Sequence, residues 1–355
     1  MRENMAKSLN YHDELDKKNI LKLRELVRTL PPFCEQFFRG IEDTTASRTK
    51  IAYAYDLRVF FEFLHETYVK YQSSEITDYQ LQILDEISQE EIESYMEYLS
   101  YYVKDGVEYM NDERGKKRKL ASLRSFYNYY YRNGRISQNP ASRVPMPRLH
   151  EKEIIRMEPN EVAALLDEVE EGSGLTKSEK RYHARTRIRD LALLTLLLGT
   201  GIRVSECVGI DLQDVDFDNQ RVKVRRKGGS EDVVYFGEEV TEALLAYLEE
   251  RRHIIPLSGH ENAFFLSMQN RRITVRSVEK LVGKYTSRVT SMKRITPHKL
   301  RSTYGTSLYQ ETGDIYLVAD VLGHKDVNTT RKHYAAMKED NKRKAAKAVR
   351  LREDL

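Results

Sequence analysis

Three short stretches hold side chains able to bind an anion, move a proton or attack an electrophile. In "GTGIRVSE", Arg203 follows Gly199 and Gly201, where it either caps carbonyls at a helix end or offers a fixed cation. In "PHKLR", His298 and Arg301 stand three apart. On a helix that spacing puts both on one face, able to grip a single anion, although basic helix faces are usually just solvated. The third stretch, "LGHKDVNTTRKHYA", sets His324, His333 and Tyr334 close together. A tyrosine in an amphipathic helix ordinarily packs, and this chain has 23 of them. His324 and His333 are nine apart, with no acidic or cysteine partner completing a ligand set, so no metal site is expected.

Helices must carry most of these groups. "NILKLRELVRTL" is helix-like up to Pro31 and Pro32, and residues 1–40 read as an N-terminal extension. "TTASR" is a capping-type entry to a long helix with Ile51, Ala54, Leu57, Phe61 and Leu64 on one face. Ser88 and Glu91, at capping-box spacing, open the next, with Ile92, Met96 and Leu99 inward. "RGKKRKLASLRSFYNYYYRNG" gives a third, with Leu120, Leu123, Tyr127 and Tyr130 or Tyr131 at helical spacing and Gly134 at its end. The first half therefore reads as all helix. "QNPASRVPMPRL" holds three prolines in eight residues and reads as a linker. Beyond it come a helix starting near Pro159 and a helix apolar all round, "RDLALLTLLLGTG". "DVDFDNQRVKVRRKGGSEDVVYF" breaks the pattern: Val222 and Val224 alternate with charges, glycines make a turn, and extended character resumes, giving a β-hairpin or three-stranded edge. Helices return at "EEVTEALLAYLEERR", "VRSVEKLVGKYTSRV" and "TPHKLRSTYGTSLYQETG". The expected fold class is mainly α, with a small antiparallel sheet in the second of two domains.

Composition fits that reading. At 355 residues two cores are the natural expectation. The net charge of +4 announces nothing by itself, but it is unevenly spread: seven Lys or Arg lie between Arg114 and Arg132, with no acidic residue among them. Lys116, Lys117, Arg118, Lys119 and Arg124 form either a solvated basic face or a surface able to neutralise phosphates, interleaved with Phe126, Tyr127, Tyr129, Tyr130 and Tyr131, which mostly pack. Cys34 and Cys207 stand alone, indicating neither a disulfide framework nor a zinc site. The N-terminus lacks the apolar core of a signal peptide, and the longest near-apolar run, Leu191 to Leu198, falls far short of the ~20 residues that span a bilayer. A cytoplasmic protein with no membrane role is expected.

Taken together and in order, "TGIRVSE", "ITPHKLRSTYGT", "LGHKDVNTT" and "HYA" resemble the catalytic signature of the tyrosine recombinase (phage-integrase-like) family, and more closely its Xer branch. The N-terminal extension and "LPPFCEQFFRG" are similar to the single-recombinase Xer proteins of Gram-positive bacteria. The resemblance implies a helical core-binding domain over 41–137, a linker over 138–150, a catalytic domain over 151–336 and a tail over 337–355 that docks on a neighbouring protomer. It also implies a lysine on the hairpin; Lys227, just before the turn glycines, is the residue carried over, with Lys223, Arg225 and Arg226 as neighbours. Tyr334 follows the "TT" pair by one residue more than in the most familiar Xer pattern, and Tyr309 and Tyr316 do not follow "LGH" at all.

The implied activity is site-specific cutting and rejoining of duplex DNA through a 3′-phosphotyrosine, serving chromosome dimer resolution, or else integration of a mobile element or phage. Arg203 and Arg301 would clamp the phosphate, since planar guanidinium groups donate paired hydrogen bonds and keep their charge. Tyr334 would be nucleophile, His298 would manage its proton, His324 would donate to the transition state, and Lys227 would protonate the leaving 5′ oxygen. Because the ester is exchanged, no cofactor and no metal are called for, and no "GxxxxGK[ST]" loop is present. The implied partners are duplex DNA with an inverted-repeat-like target, further copies of the chain on that DNA, a tetramer at synapsis, and a regulatory protein. A reading of another class is a catalytically silent DNA-binding protein on the same scaffold; it would require loss of a catalytic residue, and all six are present. A type IB topoisomerase shares related chemistry, but the helical first half and "LGH" point away from it.

Overall fold

The computed structural model describes residues 11–150, 155–226, 228–324 and 326–327. The chain divides into two compact units, residues 1–152 and 153–355. No described helix is long and apolar enough to cross a membrane.

The first unit contains α1 (Tyr11–Val27), α2 (Cys34–Gly40), α3 (Ser47–Thr67), α4 (Ile83–Glu86), α5 (Gln89–Tyr98), the hairpin β1 (Tyr102–Lys104) and β2 (Val107–Tyr109), α6 (Glu113–Arg132) and α7 (Pro140–Arg143). Along α3, Ala54, Leu57, Phe60, Phe61 and Leu64 recur at three- and four-residue steps and are all buried. They meet Leu120, Leu123, Phe126, Tyr127 and Tyr130 of α6 in one core. The Ser88–Glu91 capping box forms as expected: the Glu91 amide donates to Ser88 Oγ at 3.2 Å and the Ser88 amide to Glu91 Oε2 at 2.8 Å. The threonines of "TTASR" do not cap α3, whose N-cap position is Ala46 with no side-chain bond.

Three other expectations are corrected or refined here. The first half is not all helix: Asp105 and Gly106, at φ +52° and +73°, form the two left-handed positions that a tight antiparallel hairpin demands, and β1 pairs with β2 across them. The Pro-rich linker begins with a helical turn, because Asn139 caps Ser142 N at 3.2 Å and Pro140 tolerates the first helical position. Pro140, Ala141 and Val144 are buried against this unit. Residues 11–40 are built into the core: Leu23, Leu26, Leu30, Phe33, Cys34, Phe37 and Phe38 all pack there, and the Tyr130 hydroxyl donates to the Phe33 carbonyl.

The second unit contains α8 (Pro159–Glu171), α9 (Lys177–Thr200), α10 (Val204–Gly209), strands β3 (Val215–Asp216), β4 (Arg221–Arg225) and β5 (Glu231–Tyr235), α11 (Glu238–Arg252), α12 (Val275–Val289), α13 (Pro297–Thr312) and α14 (Ile315–Val321). The apolar α9 is central, packed against α8, α11 and α13, with Ala192, Leu193, Leu194, Leu196 and Leu197 buried. It stops at Gly201, whose φ of +62° and whose approach to Tyr304, 2.4 Å from where a Cβ would lie, admit no side chain. The sheet is antiparallel, ordered β3-β4-β5, with Val222 opposite Val234 and Val224 opposite Asp232. Val222 and Val224 turn inward, as the alternation predicts.

Candidate active site

Four of the six residues expected to carry chemistry lie in the described part of the second unit. Arg203 lies three residues beyond Thr200, the last of α9, and occupies the N-cap position of α10. Its backbone N–H donates to Glu206 Oε2 at 2.8 Å, its Nη1 to Glu206 Oε1 at 2.7 Å, and its Nη2 to the Gly323 carbonyl at 3.3 Å. Arg301 projects from α13 and is buried; Nη1 donates to the Gly201 carbonyl at 2.7 Å and Nη2 to the Leu322 carbonyl. His298 lies one turn earlier on α13 and is exposed. His324 follows the turn after α14, its backbone N–H bonded to the Ala319 carbonyl at 2.9 Å. Lys227 and Tyr334, with His333, lie outside the described residues.

The turn after α14 is where these elements meet. Consecutive carbonyls of Val321, Leu322 and Gly323 accept from Arg226, Arg301 and Arg203 respectively, immediately before His324. Three guanidinium groups from a hairpin, a helix and a helix start are thus gathered on one short stretch of backbone. Gly323 makes the approach possible: its φ is +59°, and a Cβ there would lie 2.9 Å from Arg226 Cζ. The carboxylate of Glu206, almost fully buried, accepts from both Arg203 and Arg226 and sets the distance between them. A cationic pocket held by carbonyl dipoles and a single buried carboxylate suits the extra negative charge of a phosphoryl transition state.

Burial disfavours ionisation of two other nucleophiles near these arginines, Cys207 and Tyr304. Desolvation first, and then the Glu206 charge, pushes the Cys207 thiol well above the range in which thiolate forms. Burial likewise holds the Tyr304 phenol above its ordinary value. Tyr309 is buried within α13, and Tyr316 stands exposed on α14.

Sequence reading passed over Glu206 and treated Arg226 only as a neighbour of Lys227. Both carried a signal. Glu206 follows Arg203 at the spacing of a capping box, and Arg226 continues the inward alternation of Val222 and Val224.

In the first unit the basic helix α6 is divided in its duties. Lys119 is buried, its Nζ 3.2 Å from Asp56 Oδ1, and Arg118 Nη1 donates to the other oxygen of the same buried carboxylate. Arg124 donates to the carbonyls of Ala141 at 3.0 Å, Ser142 at 3.3 Å and Val144. Desolvation, ahead of the attraction of Lys119 and Arg118, raises the Asp56 carboxyl above its usual range. The cations of Lys119 and Arg124 are therefore spent on holding this unit together. Lys116, which reaches Ser100 Oγ at 2.5 Å, and Lys117 are partly exposed, and Arg118 is half-exposed although bonded to Asp56. Of the aromatics, Phe126, Tyr127 and Tyr130 are buried and Tyr131 is exposed.

With this geometry in place, comparison with known proteins is decisive about class. Residues 156–341 match the model of the Phage integrase family. The tyrosine recombinase XerC of Caldanaerobacter subterraneus is 32% identical over 328 residues, covering 89% of this chain and 86% of the relative. The tyrosine recombinase XerS of Lactococcus lactis (strain SK11) is 28% identical, covering 91% of this chain and 97% of the relative. Among solved structures, the XerH recombinase bound to a palindromic difH substrate in a post-cleavage complex superposes with a TM-score of 0.62 at 18% identity, over 84% of this chain and 79% of that one. A lambda integrase dimer on a core site gives 0.58 at 14% identity, over 85% and 94%. The chain belongs to the phage integrase family, the tyrosine recombinases. Within it, the relatives place it with the Xer enzymes.

Proposed function

We propose that this enzyme cuts and rejoins duplex DNA at a specific site by transesterification through a 3′-phosphotyrosine. Tyr334 Oη attacks phosphorus while the bond to O5′ breaks; His298 takes the phenolic proton, and Lys227 supplies one to the departing 5′ oxygen. Arg203 and Arg301 bind the non-bridging oxygens, and His324 adds a third donor. The second half-reaction reverses these steps with a different 5′ hydroxyl, so the ester energy is retained and no nucleotide is consumed. A free tyrosine has a pKa of ~10 and is only about 0.1% ionised at pH 7, so the nucleophile depends on its cationic pocket and on a proton acceptor.

The observation that carries this reading is the convergence of Arg203, Arg226 and Arg301 on the three carbonyls that precede His324. That convergence gives "IRVSE", "PHKLR" and "LGH" one shared locus. The Xer relatives, aligned over nearly the whole chain, support a role in resolving chromosome dimers over integration of a mobile element. The occupant is duplex DNA with an inverted-repeat-like target. Lys116, Lys117 and Arg118 contact phosphates from the first unit. Copies of the chain assemble on the DNA, four at synapsis, through the tail over 337–355, and a regulatory protein licenses the exchange.

A nicked suicide substrate tests the nucleophile. The wild-type chain should be trapped as a covalent protein–DNA adduct, while Tyr334→Phe should bind the same DNA and yield none. An adduct with the Phe variant would remove Tyr334 from the role.

A further inference from the structure

Arg226 is engaged on three sides at once. Its Nε donates to Asp232 Oδ2 at 2.9 Å, across its own hairpin; its Nη1 donates to Glu206 Oε2 at 3.1 Å, on α10; its Nη2 donates to the Val321 carbonyl at 3.2 Å, at the end of α14. The side chain is 9% exposed and Glu206 2%, so this is a buried pair whose cation must be fully satisfied. The main chain of the same residue closes the turn, its N–H bonded to the Ser230 carbonyl at 2.7 Å and its carbonyl accepting from Gly229 at 3.0 Å. The next residue in the chain is Lys227, followed by two glycines at φ +99° and +87°. Glycines confer little stiffness on a turn, so its placement depends on what anchors its base.

We propose that Arg226 is a positioning residue for strand cleavage: it fastens the base of the lysine turn to Glu206, the carboxylate that orients Arg203, and to the backbone that leads into His324. Arg203 keeps its own bonds to Glu206 and to the Gly323 carbonyl, so the loss of Arg226 releases the lysine turn from this frame and leaves the phosphate clamp in place. Lysine cannot substitute, because a single ammonium on a flexible stem does not reproduce a planar fork aimed at three acceptors. Gly323 belongs to the same device, since any side chain there would displace the guanidinium. The proposal rests on Lys227 as the proton donor to the 5′ oxygen.

The test uses the full chain and two nicked substrates, one with the natural bridging 5′ oxygen and one with a bridging 5′ sulfur, which departs without needing a proton. Lys227→Ala should be slow on oxygen, by about a hundredfold or more, and restored on sulfur. Arg226→Gln and Arg226→Lys should be slower on oxygen by about ten- to a hundredfold with DNA affinity unchanged, and likewise restored on sulfur. Arg226→Gln combined with Lys227→Ala should be no slower than Lys227→Ala alone. If Lys227→Ala is restored by sulfur while the folded Arg226 variants stay equally slow on both substrates, or match the wild type on oxygen, the positioning role is overturned and the lysine assignment stands. If sulfur does not restore Lys227→Ala, the lysine assignment itself fails, and the proposal with it. Should Arg226→Gln not fold, Asp232→Asn releases only the more exposed end of the bridge. A several-fold slowing relieved by sulfur is expected there, and an unchanged rate on oxygen overturns the proposal.

Discussion

Arg301 has a duty in the fold beside the phosphate clamping proposed for it. It ties the last turn of α9, through Gly201, to the turn after α14, through Leu322, from a buried position on α13. Replacing it with lysine leaves at least one of those buried carbonyls without a donor, at about 1–3 kcal/mol for each group unmet. Arg301→Lys should therefore lower stability in denaturant unfolding and also cut adduct formation by about a hundred- to a thousandfold. A variant that loses stability yet cleaves at the wild-type rate would confine Arg301 to the fold. At this scale Arg203, His298, Arg301 and His324 are legible as candidates because four weak signals occur in one order; each taken singly has an ordinary structural explanation. Glu206 and Arg226 were not singled out, because their importance lies in contacts across 20 and 95 positions of chain, which no local spacing encodes.

Among the elements, α6 separates two uses of positive charge. Lys119 and Arg124 stabilise the first unit, while the partly exposed Lys116 and Lys117 are the phosphate contacts proposed above. Exchanging Lys116 and Lys117 together for alanine should weaken DNA binding similarly for all sequences and reduce the slope of log affinity against log salt by about one to two units. Titrations over a range of salt concentrations would check this, and an unaltered slope would remove these lysines from the DNA. The start of α9 depends on a different charge. Hydrogen bonds from the Thr176 hydroxyl and amide, and then Arg288, hold the Glu179 carboxyl below its ordinary 4.5. A carboxylate depressed in the folded state adds stability above its unfolded pKa and loses it as pH falls through the folded value. Wild type should therefore melt higher than Glu179→Gln at pH 7, and the difference should close below pH 4.5. Helix positions are the most legible elements, because buried apolar residues at three- and four-residue intervals mark α3 and α6 and a near-continuous apolar run marks α9. The β1–β2 hairpin was not, because its strands span three residues each and only Asp105-Gly106 signals the reversal.

For the whole molecule, the two compact units have separate internal packing. Residues 1–152 and 153–355, produced as separate chains, should each unfold in one cooperative transition, measurable by circular dichroism. A fragment that shows no transition would mean that its core is incomplete alone. The expectation of two cores came from length, and of a mainly helical chain from periodicity. The inward packing of residues 11–40 did carry a signal, since Leu30, Phe33, Cys34, Phe37 and Phe38 recur at three- and four-residue steps, but the polar start of the chain and the Pro31–Pro32 break mask it.

The bond from Tyr130 to the Phe33 carbonyl also bears on inheritance. A segment that supplies Phe33, Phe37 and Phe38 to a core cannot be gained or shed like a tag, because the helices it closes over would be left with open hydrophobic faces. Exchanging the first unit of this chain for that of another therefore means moving α1 and α2 along with α6. The viable crossover lies beyond Val144, and a junction at residue 40 would divide the core instead of transferring it.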